Sequence, residues 1–324
     1  MAHALHRILV TALSLSAAFA FAQAPEFPGK PVTLVVPVAP GGILDTVARM
    51  LAPEMGRSLG QPVIVDNKPG ASGNIGSTYV ARSKADGHTL LVGYSMFQVG
   101  NPSMFKDLPW DPIRDFASVA MIVTSPHVLA VYPAVPAKNL NELVALAKRE
   151  PGRLNYATPG SGSVPHVGME LFKQQTGTDC THVPYKGAGP AMQDVIAGNV
   201  QVTIATPPSL LAFVQAGRLR ALAVAARTRH PLLPEVPTAA EAGYPQFELE
   251  AWVALFAPAG TPPDAIAKLA GAAKDALRAP EVVEKIRATG MTLRYLPPSE
   301  LDAVVKADLA YWSRVITEAK IKAD

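Results

Sequence analysis

Two glycine-rich turns hold the residues best suited to chemistry. The first is Val38-Ala39-Pro40-Gly41-Gly42-Ile43-Leu44-Asp45 and the second is Thr158-Pro159-Gly160-Ser161-Gly162-Ser163-Val164-Pro165-His166. Each follows a β-branched run and opens a helical pattern. Glycine lets such a turn fold tightly and approach a ligand closely, while the helix behind it presents unpaired N–H groups and the positive end of its dipole. That combination binds anions. Neither turn has the Walker lysine or the dinucleotide glycine spacing, so a small carboxylate is a better-sized guest than a nucleotide. A single turn of this kind is equally an ordinary strand-to-helix connection. Two of them, one in each half of the chain, can face each other across a cleft between domains, where small-molecule sites concentrate.

Other candidates are weaker. In the glycine-rich stretch 67–76, Asn74 reads as a helix cap rather than a ligand contact, and Lys186 in 185–190 reads as a solvated surface lysine. G-x-S-x-G, H-E-x-x-H and C-x-x-C are absent from the sequence. Ser161 or Ser163 with His166 suggests a nucleophile and base, but three close positions in one loop supply no third group to orient the base. Serine hydroxyls as hydrogen-bond donors are the more economical reading. Cys180 is the one cysteine, so an internal disulfide and a cysteine metal site are excluded, and an inert buried thiol is expected. No cofactor and no metal is expected.

The chain that carries these turns has 324 residues, 49% apolar and only 17% charged, with 31 prolines. It is long enough for two domains and too apolar to be disordered. A net charge of +3 without a run of Lys and Arg lacks the electrostatic stripe that nucleic acid needs. Arg7 followed by the uncharged stretch 8–22, ending Ala20-Phe21-Ala22, reads as a secretory signal cut after Ala22. The stretch is too short for a membrane span.

Short Val/Leu/Ile-rich runs at 31–38, 62–66, 88–94, 127–132, 153–158, 200–206, 219–225 and 251–258 read as strands, bounded by Pro, Gly or Asn. Helical spacing recurs between them, as in Leu44, Val47, Leu51, Met55 and Leu59, or Leu140, Leu143, Leu146 and Ala147. This βαβ rhythm implies parallel sheets covered on both faces. After Gly260 come helices starting near Pro263 and Pro280, then a long one over 300–319 with Ser299 and Asp302 as its capping pair. They read as a cap over one domain.

The ordered set PVTLVVPVAPGGILDTVAR, VDNKPGASGNIG, NYATPGSGSVPH, VPYKGAGPAMQDVIAGNVQ, LPEVPTAAEAGYP and FAPAGTPPDAIAKL closely resembles the Bug (Bordetella uptake gene) or TctC-like proteins, extracytoplasmic solute receptors of tripartite tricarboxylate transporters. The resemblance covers nearly the whole chain beyond the signal. It implies an α/β, two-domain Venus-flytrap of the type II periplasmic binding kind. Domain I would comprise residues 23–124 and 248–324, domain II residues 125–247, with crossing strands near 127–132 and 250–256. It also implies a carboxylate held at the cleft by Gly41, Gly42, Ile43, Leu44 and Asp45 from the first loop and Thr158, Gly160, Ser161, Gly162, Ser163 and His166 from the second. Ser95, Ala205, Thr206 and Pro207 would edge the cleft. Asp45 reads as a helix-start carboxylate that holds its loop or accepts from a ligand or water, rather than as a direct carboxylate binder.

The family usually has small or polar residues where this chain has Ile43 and Leu44. If their side chains line the cleft, they favour an aromatic or aliphatic carboxylate over a hydroxylated one such as citrate; the alternative is that one of them turns into the core. The expected function is capture of a small organic carboxylate in the periplasm by a monomer and its delivery to the inner-membrane transporter. A ligand-dependent partner of a sensor kinase needs the same cleft, and a secreted serine hydrolase is a remote third.

Overall fold

The computed structural model describes residues 27–41, 43–185, 187–318 and 321. The expected signal, residues 1–22, lies outside them, as do Gly42 and Lys186. Six strands, β1 (Val32–Val36), β2 (Val63–Asn67), β3 (Thr89–Tyr94), β4 (Phe116–Pro126), β10 (Glu250–Pro258) and β11 (Thr292–Leu296), form one sheet in the order β11-β4-β10-β3-β1-β2. The strands between them in sequence, β5 (Val128–Val131), β6 (Asn155–Thr158), β7 (Thr181–Pro184), β8 (Val202–Ala205) and β9 (Arg220–Val224), form a second sheet in the order β7-β6-β8-β5-β9.

The two sheets repeat one plan. Three parallel strands (β2-β1-β3 and β7-β6-β8) are followed by a strand that arrives from the other sheet and runs antiparallel to both its neighbours. That strand is β10 in the first sheet and β5 in the second. The sheets are therefore mixed rather than parallel throughout, because an incoming strand enters from the end where the parallel strands leave.

Helix α1 (Ile43–Leu59) joins β1 to β2, and α2 (Asn74–Ala81) joins β2 to β3. The apolar face of α1, with Leu44, Val47, Leu51 and Met55, packs on Val32, Leu34 and Val36 of β1 together with Leu269 and Ala273 of α9 (Pro263–Ala276). Each such side chain contributes about 1.5–3 kcal/mol on burial. Helix α10 (Pro280–Ala288) joins the same layer through Val282 and Ile286.

The other face of the six-stranded sheet is covered by short helices α3 (Ser95–Val99) and α4 (Asn101–Met104) and by the long α11 (Pro298–Glu318). Helix α11 begins at Pro298, so Ser299 sits in its first turn instead of capping it. Its Leu301, Val305, Trp312, Val315 and Ile316 belong to a cluster that also holds Trp252 and Phe256 of β10. The cluster then continues into Val164, Val167 and Phe172 of α6 (Val164–Thr176) and Leu129 of β5. The terminal helix is thus more than a cap: its apolar face belongs to a core shared by both sheets.

All eight expected strands are present, and β4, β7 and β11 are additional. The first crossing runs from β4 into β5 with only His127 between them. There the His127 N–H donates to Leu249 O (2.9 Å), the Leu249 N–H to Ala225 O (2.9 Å) and the Ala225 N–H to His127 O (2.8 Å). These bonds tie the outgoing and returning chains together between the sheets.

Candidate functional site

The crossing fixes which strand ends face each other. Pro126 of β4 pairs with Glu250 of β10, and β1 and β3 run in the direction of β4, so Val36 and Tyr94 point their following loops toward the crossing. In the second sheet Ala205 pairs with Val128, the first residue after the crossing, and β6 runs parallel to β8. The loops after β1, β3, β6 and β8 therefore all leave at the ends turned toward the other sheet.

The first loop is built around Asp45. This carboxylate, 4% exposed, accepts from the Gly41 N–H (2.9 Å), Arg49 Nε (3.0 Å) and Asn67 Nδ2 (3.0 Å). Asn67, the last residue of β2, also donates to Val38 O (3.1 Å) and accepts from Arg49 Nη2 (3.1 Å). Burial pushes the Asp45 pKa up, but the donors from Arg49, Gly41 and Asn67 together outweigh it and hold the carboxyl below its usual value. Asp45 thus spends its oxygens on the loop, and Gly41, with φ +89°, supplies the left-handed turn that aims its N–H back at them. Leu44 is 1% exposed and lies in the core against β1, so its side chain does not line the strand-end loop. Ile43 is half-buried at the start of α1.

The second loop uses different chemistry for the same purpose. Thr158 is fully buried, and its Oγ1 lies 2.6 Å from His182 Nε2 and accepts from the Gly160 N–H (3.3 Å). Ser163 caps α6: its Oγ donates to Gly160 O (2.7 Å) and accepts from the His166 N–H (3.4 Å). The Gly162 N–H donates to His166 Nδ1 (3.0 Å). The His166 ring stacks on His182 at 3.9 Å, and Tyr156 stacks on His182 at 4.9 Å, with the Tyr156 hydroxyl donating to Glu170 (2.5 Å). Thr158, Ser163 and His166 therefore shape the loop from within. Gly160 and Ser161 are half-buried at its tip.

Of the edge positions, Ser95 opens α3 and is 4% exposed, while Ala205 and Thr206 are half-buried. Pro207 and Pro208 open α8 (Pro207–Gln215) and remove two N–H donors from its first turn, so this helix start is a poor anion site. Asn74 is not a cap. The position before α2 belongs to Gly73, and Asn74 Oδ1 instead accepts from Asn101 Nδ2 (2.8 Å). Cys180 is buried, which pushes its thiol up to about 11 and keeps it inert.

Asn67, His182 and Tyr156 were not singled out in the sequence. Asn67 had one available signal, an amide at the end of a strand immediately before Lys68-Pro69-Gly70. The ring stack had none, because β6, β7 and the start of α6 meet only in the fold. The Ser163 hydroxyl is bonded to backbone groups and the His166 Nδ1 to Gly162, so this pair is not a nucleophile held on its base. Among the described residues no cluster of three metal-ligating side chains occurs. An open groove of about 690 Å³ lies away from the strand ends, along α1 and the edge strand β2, lined by residues that include Pro53, Arg57 and Val63.

Residues 47–321 match the TctC family, the tripartite tricarboxylate transporter family receptor. The chain belongs to this family. The BugT protein of Bordetella pertussis is 37% identical over 303 residues, 93% of each chain. R. palustris Rpa4515 with adipate covers 92% of this chain and 100% of its own at 35% identity and a TM-score of 0.85. MatC from Rhodopseudomonas palustris with bound malate covers 90% and 100% at 36% identity and a TM-score of 0.81. The TctC fold is that of periplasmic binding proteins, and the family is one of solute-binding receptors rather than enzymes. No helix among the described residues is long and apolar enough to cross a membrane.

Proposed function

We propose that this TctC-family receptor takes a small organic carboxylate between its two sheets and delivers it to the membrane subunits of a tripartite tricarboxylate transporter. The observation that carries the reading is the pair of glycine turns at facing strand ends, each with one N–H pinned by a side chain and each opening a helix. Pinning fixes the loop before the solute arrives, which lowers the entropy cost of binding. Adipate and malate in two relatives are carboxylates of the proposed size.

The lobes are assigned as residues 23–124 with 248–324, and 125–247, and the protein is proposed to act as a monomer in the periplasm after removal of residues 1–22. The solute-facing set is Gly41, Gly42, Ile43, Gly160, Ser161 and Gly162, with Ser95, Ala205 and Thr206 at the edge. Asp45, Thr158, Ser163 and His166 act from behind them. With Leu44 in the core, the added apolar wall falls to Ile43, which is half-buried and packs partly against the same core. An aliphatic or aromatic mono- or dicarboxylate remains the favoured class.

Titration calorimetry against adipate, malate, benzoate and citrate tests this. Binding of adipate or benzoate in preference to the hydroxylated malate and citrate is expected. Failure of every carboxylate in a broader mono- and dicarboxylate panel would overturn the reading.

A further inference from the structure

Beside the crossing strands, a buried histidine joins the two lobes. His230 follows β9 and is 4% exposed. Its Nδ1 accepts from the Leu232 N–H (3.2 Å), which leaves the ring proton on Nε2. That Nε2 donates to Gly290 O at 2.7 Å. Gly290 lies between α10 and β11, in the other lobe, with φ +78°. A Cβ at this position would stand 2.8 Å from Pro207 Cβ and 3.2 Å from His230 Cε1. Gly290 is therefore seated between a proline at one end of the second sheet and a histidine that follows its edge strand, and a side chain there would force them apart.

The strand orders say where this contact lies. In the six-stranded sheet the crossing pair β4 and β10 has β11 on one side and β3, β1 and β2 on the other. In the five-stranded sheet β5 has β9 on one side and β8, β6 and β7 on the other. The glycine turns follow β1 and β6. His230 follows β9, Pro207 follows β8 and Gly290 precedes β11, so the contact joins the ends of the two sheets that are turned toward each other, beside the crossing. A swing about the crossing strands that changes the angle between the lobes must stretch or shear this contact. The interlobe packing between α11 and α6 is apolar and can slide, whereas a hydrogen bond depends steeply on length and angle.

We propose that His230 is a positioning residue whose bond to Gly290 O, backed by Pro207, straps the two lobes together beside the hinge and sets the angle at which the two glycine turns face each other. The strap acts on the lobes themselves and holds whichever solute is bound, so it stands or falls separately from the carboxylate reading.

Spin labels on the exposed Arg82 and Gln193, one in each lobe, with Cys180 replaced by alanine, report the interlobe distance without any solute. His230→Ala is expected to raise the population of a second distance about tenfold, as losing one hydrogen bond to a buried group does. His230→Gln, which keeps a donor near Nε2, should restore the narrow distribution. Gly290→Ala, which presses on both Pro207 and His230, should shift it, and adding His230→Ala to Gly290→Ala should change little further. Circular dichroism checks that each variant folds. If His230→Ala does not fold, the decision passes to a narrow distribution for His230→Gln together with a shifted one for Gly290→Ala. An unchanged distribution in folded His230→Ala, no restoration by Gln, or an unshifted Gly290→Ala would overturn the proposal.

Discussion

Asp45 and His166 hold corresponding loops in the two lobes by different means, each taking one main-chain N–H, from Gly41 and from Gly162. Asp45→Asn keeps one acceptor but turns an NH2 group toward the Arg49 and Asn67 donors. It is expected to cost about 1–3 kcal/mol in urea unfolding and to weaken solute binding in calorimetry. Unchanged affinity would mean that the loop does not need its brace. His127 gives a pH prediction. Burial pushes its pKa down to about 4, with the bond to Leu249 O acting the other way. The unfolded chain takes up that proton near pH ~6.5. The folded pKa of this base is depressed, so the unfolded state binds the proton first as pH falls. Stability is lost between those two values by ~3 kcal/mol. His127→Gln removes the titration while keeping a donor, and urea midpoints from pH 7 to pH 4 should fall less steeply; an equal slope would acquit His127. At this scale Asp45 was legible as a helix-start carboxylate. Leu44 was legible too, since it already belonged to the spacing Leu44, Val47, Leu51, Met55 that defines the buried face of α1, and Ile43 stands one residue off that stripe. Its place among the solute-facing residues conflicted with that phase.

At the scale of elements, α6 shows what a helix behind a binding loop must satisfy at its start and along its buried face. Its first turn is capped by Ser163, and one turn later Gly168 meets the crossing: a Cβ there would clash with Leu249 Cδ2 and stand 3.2 Å from its Cγ. Replacing a mid-helix glycine by alanine ordinarily gains about 1 kcal/mol. Here Leu249 is fully buried and cannot retreat, and overpacking costs about 1–3 kcal/mol, so Gly168→Ala is expected to destabilise. In a Leu249→Ala background the same change should become neutral or favourable, and denaturant unfolding of the four proteins reads the coupling. Additive effects would show that α6 does not bear on the crossing. Strands with apolar residues in one short run, such as Val32–Val36, were legible from local sequence alone. β4 was not, because FASVAMIVTSP places Ser and Thr within a long buried strand and lacks a Pro or Gly boundary at its start. β7 and β11 sit at sheet edges, where THVP and TLRYL carry polar residues that solvent tolerates. The element order therefore emerged from local pattern, whereas the exchange of strands between sheets came only through the family resemblance, which put the crossings near 127–132 and 250–256: non-local pairing leaves no local signature.

At the scale of the whole molecule, two sheets with separate strand sets suggest two units that unfold separately, yet the packing argues otherwise. One apolar cluster contains Leu91, Phe256 and Trp312 on one side and Leu129, Val167 and Phe172 on the other, with Phe247 and Leu249 among the same residues. Unfolding either lobe alone would expose the shared face of the other, and would also break the ring of bonds among His127, Ala225 and Leu249. The cost of an interface between one folded and one unfolded lobe therefore favours a single transition, even though two-state behaviour is less common in chains of this size. Scanning calorimetry is expected to give one endotherm whose calorimetric and van't Hoff enthalpies agree. A solute gripped from both sheets should move the whole endotherm, since at a hundred times its Kd it adds about 2.7 kcal/mol to the native state alone. Two transitions in the free protein, one of them indifferent to the solute, would show that the shared cluster does not couple the lobes and that the hinge is looser than its packing implies.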